Sequence, residues 1–157
     1  MHFKFRRIGS KNSAKESLLY KNLLRVTLIF LLFCTETKGQ LLIVNKANSV
    51  SKTSRSFIRN IFLGNTVTWQ SNIKVQIVDY PSELLLRRAF SEDYLSLTPM
   101  KVTMIWIKVS LSGKSAPPKI LRTEEDVKRF IADNEGAIGY VSNAKELPPN
   151  VKIIEVE

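Results

Sequence analysis

The stretch Val78-Asp79-Tyr80-Pro81-Ser82-Glu83-Leu84 holds the residues whose types and spacing best fit a binding site. An apolar run ends at Asp79, a turn-forming proline follows, and Ser82 stands where a helix is expected to begin. The first N–H groups of a helix lack partners and carry partial positive charge, so a helix start can hold an anion. The Ser82 hydroxyl could donate to the same anion, whereas Asp79 and Glu83 would repel it. A simpler reading needs no ligand: Ser82 caps its helix and Glu83 complements the helix dipole. Arg87 and Arg88 lie a turn or more along that helix and are expected to point away from its start. One of them would face solvent or pair locally with Glu83 or Glu92.

No other cluster carries chemistry. The one histidine is His2 and the one cysteine is Cys34. There is no zinc-type Cys/His cluster, no Ser-His pair and no phosphate-cradling glycine loop before a helix. Gly136-Ala137-Ile138-Gly139 precedes a strand instead of following one, so it is not a dinucleotide fingerprint. The chain therefore reads as a non-enzyme, with no cofactor and no metal.

The elements that would position Asp79 and Ser82 follow from periodicity. Leu41 to Asn45 is a continuous apolar run, as in a strand covered on both faces. Ser51 or Thr53 is expected to cap a helix carrying Phe57, Ile58, Ile61 and Phe62, which ends at Gly64-Asn65. Residues 75–79 read as the second strand, and Leu84 to Phe90 as a helix. Thr98-Pro99 opens the next segment. Met100 to Ser110 fits strand by its β-branched residues and helix by its length and cap, and periodicity alone does not decide between them. Thr123 with Glu124, Glu125 and Asp126 leads into Val127, Phe130 and Ile131 on one helical face. Asn134-Glu135-Gly136 stops that helix, and strands follow at 137–142 and 152–156. Strand and helix in alternation predict an α/β fold, a mainly parallel sheet with helices on both faces. Phe62, Trp69, Phe90 and Trp106 then belong in the core.

The chain has 157 residues and a formal net charge of +10. Eight of its 24 basic residues and two of its 14 acids lie in residues 1–39, so six of those ten charges sit at the amino terminus. The remainder mixes signs, as in Glu124-Glu125-Asp126-Val127-Lys128-Arg129, which argues against nucleic acid as a partner. The basic segment runs to Arg25, an apolar run extends from Val26 to Cys34, and polar residues follow to Gly39. That order is a secretory signal, and the run falls short of the roughly twenty residues that span a membrane. Residues 1–39 are therefore expected to be a signal peptide, or a membrane anchor if uncut, and Gln40 to begin a single domain over 40–157. Phe33 is bulky where a lipidation signal wants a small residue, so Cys34 reads as part of the apolar run.

In order along the chain, Val44-Asn45, Ile61-Phe62-Leu63-Gly64 and Trp69 are followed by Ile77-Val78-Asp79. Ser82 with Arg88 and Phe90 comes next, then Trp106 with Ser112-Gly113 and Pro117-Pro118, and finally Gly136 to Val141. This series, over nearly all of 41–142, resembles the second lobe of the phosphate-type periplasmic solute-binding proteins. The resemblance implies one lobe of a type II periplasmic-binding-protein-like fold, a periplasmic location and phosphate or another small anion as ligand. It carries over Ser82 alone as a site residue, and Asp79 beside it could accept a hydrogen bond from a protonated phosphate as the family's aspartate does; it also favours helix for Met100 to Ser110. The family's anion loop reads roughly Arg-x-Asp-x-Ser-Gly-Thr, and its arginine, glycine and threonine have no counterparts here. The family closes two lobes over its anion, whereas this length accommodates one, so weak anion binding is expected. The alternative is an envelope interaction or assembly module whose open face meets a partner protein or a second copy.

Overall fold

The computed structural model describes residues 39–157. Five strands form the central sheet: β1 (Leu41–Asn45), β3 (Gln76–Asp79), β4 (Lys119–Ile120), β5 (Ala137–Val141) and β6 (Val151–Ile153), in the order β4-β3-β5-β1-β6. β3 pairs in parallel with β4 and β5, while β1 pairs antiparallel with both β5 and β6. Four strands thus run one way and β1 alone opposes them. The apolar run of β1 signals that both faces are covered. It carries no information on direction, which only the crossover helices impose.

The expected strand at 152–156 is divided. Ile154 is buried at the break, and β7 (Glu155–Val156) leaves the sheet to pair in parallel with β2 (Lys52–Thr53). That pairing engages Thr53 and moves the helix start. Ser54 caps α1 (Arg55–Phe62), its oxygen accepting from Phe57 N at 3.2 Å, in place of the expected Ser51 or Thr53. Gly64 ends the turn after α1 at φ +72°, a conformation that costs glycine little.

Helices cover both faces. On β5, Gly139 faces α4 (Glu124–Asp133): a Cβ there would lie 3.1 Å from Ile131 and Val127. The neighbouring Tyr140 points to the other side, where it stacks on Phe90 of α2 (Leu85–Leu95) with ring centroids 3.8 Å apart. Phe62 of α1 packs against both rings. Residues 137–141 alternate between the two faces as their period of two requires.

Residues 99–111 are helix throughout. Thr98 caps α3 (Pro99–Leu111) with Pro99 in its first turn. Trp106 donates from Nε1 to Phe62 O at 2.9 Å, fixing α3 against the end of α1. Phe62, Trp69, Phe90 and Trp106 are all core residues. Among the described residues, no helix is long and apolar enough to cross a membrane. The expected signal segment, with His2 and Cys34, lies outside the described residues apart from Gly39.

Candidate functional site

Asp79 is the last residue of β3, and its carboxylate turns inward beneath the chain that leads to α2. Oδ1 accepts from Tyr140 Oη at 2.6 Å and from the Tyr80 backbone N–H at 2.8 Å. Oδ2 meets Arg87 Nη2 at 2.9 Å. Arg87 Nη1 donates to Ser91 Oγ at 2.8 Å, and that hydroxyl donates to Arg87 O one turn back. Tyr80 Oη donates to Tyr140 O at 2.9 Å. Strand β3, helix α2 and strand β5 therefore meet in one hydrogen-bonded cluster. Asp79 is 2% exposed, Arg87 4% and Ser91 0%.

The position of Arg87 corrects the sequence expectation. Pro81 to Leu84 form a turn closed by Leu84 N to Pro81 O at 3.1 Å, so α2 begins at Leu85, later than Ser82 suggests. Arg87 then lies in the first helical turn and reaches back to Asp79 instead of pointing away. Arg88 is the one that is exposed. The later start also removes the capping role of Ser82. Leu84 is the residue flanking the helix, and no side chain caps it. Glu83, on the surface, lies 4.0 Å from Arg122.

Burial pushes the Asp79 carboxyl above the usual carboxylate range, although Arg87, the Tyr140 hydroxyl and the Tyr80 N–H each pull it back. Burial likewise pushes the Tyr80 and Tyr140 phenols up, aided at Tyr140 by the charge of Asp79. Both phenols stay protonated, which keeps Tyr140 a donor to the carboxylate.

A cavity of about 330 Å³ opens over this cluster. Its polar lining is Asp79, Arg87, Thr103 and the exposed Ser82. Its apolar walls include Pro81, Trp106, Pro117, Pro118 and Ile120. The structure thus brings Asp79 and Ser82 to one cavity, Asp79 at its floor and Ser82 at its lip. Arg87, Tyr140 and Ser91 were missed from sequence. The signal for two of them was available: Arg87 and Ser91 are four apart on a mostly apolar helix start and can share one face. Among the described residues no group of His, Cys, Asp and Glu could hold a metal ion.

Cations and anions balance at the cavity floor. Arg87 is the one cation among the lining residues, and its two terminal nitrogens already hold Asp79 and Ser91. The carboxylate accepts three contacts in all. Among the lining residues no nucleophile is paired with a base.

No protein-family model matches the chain, and no curated protein matches it. Solved structures do. An ABC-type phosphate transport receptor from Vibrio cholerae superposes with a TM-score of 0.56 at 20% identity, over 75% of this chain and 46% of that one. A protein assigned as a phosphate ABC transporter substrate-binding protein from Clostridium perfringens, solved with bound phosphate, gives 0.60 at 20% identity, over 75% and 44%. PstS from Borrelia burgdorferi gives 0.57 at 11%, over 75% and 47%. The fold is that of one lobe of a periplasmic solute-binding protein. At these identities the likeness is one of fold. The chain spans under half the length of each of these proteins.

Proposed function

We propose that this chain acts outside the cytoplasm as a single-lobe domain of the solute-binding type, that its cavity takes phosphate or a similar small anion only weakly, and that it is not an enzyme. The observation that carries this reading is the ion pair of Arg87 with Asp79 at 2.9 Å. An incoming anion would have to share a guanidinium already neutralised by a buried carboxylate. Ser82 adds one hydroxyl from the lip. Asp79 could accept from a protonated phosphate, but its Oδ1 already accepts from Tyr140 and Tyr80. Tight anion sites surround their ligand with charge-assisted donors, and water reaching the open side leaves each bond little net energy. Dissociation in the millimolar range or weaker is expected, roughly 4 kcal/mol or less.

Calorimetry of the purified protein with phosphate and sulfate tests this. Micromolar binding by a monomer, abolished by Ser82→Ala, would overturn it. Micromolar binding confined to a dimer would mean that a second copy supplies the missing wall. Export has its own test. Protein made in a bacterium should begin near Gln40 and be recovered outside the cytoplasm, or stay at the inner membrane if the segment is uncut. Intact chain free in the cytoplasm would sink that part.

A second reading, an envelope interaction or assembly module, is favoured by the apolar residues near the site: Leu85 at the start of α2 and Ile120 on the cavity wall are 77% and 54% exposed. A stable fold that binds neither anion, as monomer or dimer, would put that reading ahead.

A further inference from the structure

Helix α3 turns Val102 and Trp106 into the core, yet keeps four large apolar side chains outside. Met100, Met104, Ile107 and Leu111 are 69%, 54%, 55% and 83% exposed. Their spacing of four, three and four places them in one line along the helix. A helix whose outer side met only water would carry polar residues there.

The charge on α3 and the chain beside it is one-sided. Residues 94–116 contain Lys101, Lys108 and Lys114, and no Asp or Glu. Lys101 and Lys108 each follow a member of the line by one residue, so they flank it. Among the described residues, neither has an ion-pair partner. An apolar line bordered by lysines fits a surface that is apolar beneath and anionic above.

We propose that α3 lies on an anionic lipid surface. Met100, Met104, Ile107 and Leu111 enter the boundary between headgroups and acyl chains, and Lys101 and Lys108 extend to the lipid phosphates. A second copy fits less well. Packing α3 on itself brings lysines from both copies to one interface, and no carboxylate in 94–116 offsets them. A protein groove fits less well too. The line's two methionines would suit such a groove, but it has no Trp, Tyr or Arg, the residues in which binding energy most often concentrates. If the amino-terminal segment stays uncut, its basic residues and the apolar run from Val26 to Cys34 add a second attachment, and two weak attachments together hold a protein at a membrane where one does so only transiently.

The test places a reporter on the line. Trp69 and Trp106 are the only tryptophans and both are buried, so Ile107→Trp in the full chain adds one exposed indole. With vesicles of phosphatidylglycerol and phosphatidylethanolamine, the new indole should shift to the blue and be quenched by brominated lipid. Charge reversal of both lysines (K101E with K108E) should lower the fraction of line-inserted protein about tenfold or more. Three outcomes would overturn the proposal: an indole open to aqueous quencher while the chain is on the vesicle, equal insertion into pure phosphatidylcholine, or a blue shift without lipid that grows with protein concentration. The last would mean that a second copy covers the line. Near-UV circular dichroism checks the fold, and Leu111→Trp is the substitute reporter if Ile107→Trp disturbs it.

Discussion

Arg87 and Arg129 each meet carboxylates on a helix flank, on opposite faces of the same sheet, and the two arrangements differ in nearly every consequence. Arg87 on α2 and Asp79 have side chains 5% and 2% exposed, and tyrosine, serine and a backbone N–H add further hydrogen bonds to the pair. Arg129 on α4 lies 3.1 Å from Glu125 and 3.5 Å from Asp126, but these side chains are 64%, 83% and 43% exposed. Water screens the second set and barely reaches the first. A buried pair gains little over apolar packing, yet breaking it strands a charge. A surface pair can be removed at almost no cost. The buried pair therefore fixes the geometry of the cavity floor and cancels its charge, whereas the surface set only decorates α4.

Arg87→Met should sharpen this contrast most. It leaves the Asp79 carboxylate unpaired, with an expected loss of about 3–5 kcal/mol in unfolding free energy measured by urea denaturation. Joining it to Asp79→Leu should restore much of that loss. A single substitution costing under about 1 kcal/mol would break the comparison.

Tyr140→Phe removes one donor to the same carboxylate. A hydrogen bond to a charged group is worth about 1.5–3 kcal/mol, and the stacking on Phe90 should survive. Unchanged stability would mean that the phenol is not holding Asp79.

The pH dependence should be smaller. With its carboxyl raised by burial, the folded protein holds the Asp79 proton to higher pH than the unfolded chain does. Between the ordinary carboxylate range and the raised folded value, the folded state binds more protons. The contribution of this group to stability thus falls as pH rises through that window and is level above it. Denaturation of wild type and Asp79→Asn across pH 4 to 7, where both still fold, should show this slope in wild type only. The opposite slope would mean that Arg87 outweighs burial.

Arg129→Ala should have the smallest effect, under about 0.5 kcal/mol, and salt should erase it. A loss as large as that of Arg87→Met would remove the distinction between the two arginines.

Legibility in the sequence followed the same division. Helix α4 and strand β5 could be read because Thr123 accepts from Asp126 N, acids fill the first turn, and Val127 and Ile131 meet Gly139 at one face. Local chemistry and tertiary packing agree there. The helical state of 99–111 was read from Thr98 and Pro99 together with the family resemblance, despite its β-branched residues. The direction of β1 was not legible, because an apolar run looks alike in either orientation. The break at Ile154 was hidden because Val151, Ile153, Ile154 and Val156 favour strand on both sides of it. At the candidate site, Asp79 and Ser82 were singled out from their spacing and the family resemblance. The role of Arg87 was not, because the Pro81 turn delays α2 to Leu85 and no side chain caps its start. A shift of two or three residues in a helix boundary reverses which arginine faces inward.

The central claim is that Asp79 occupies the guanidinium an anion would need. Sulfate isolates it, because sulfate has no proton near neutral pH to donate to the carboxylate. Calorimetry of sulfate binding to wild type and to Asp79→Asn, under conditions where near-UV circular dichroism shows both folded, should give affinity at least about tenfold tighter in the variant, a difference of about 1.4 kcal/mol. Equal or weaker binding by the variant would contradict the account, since Arg87 would then not be the group that Asp79 withholds.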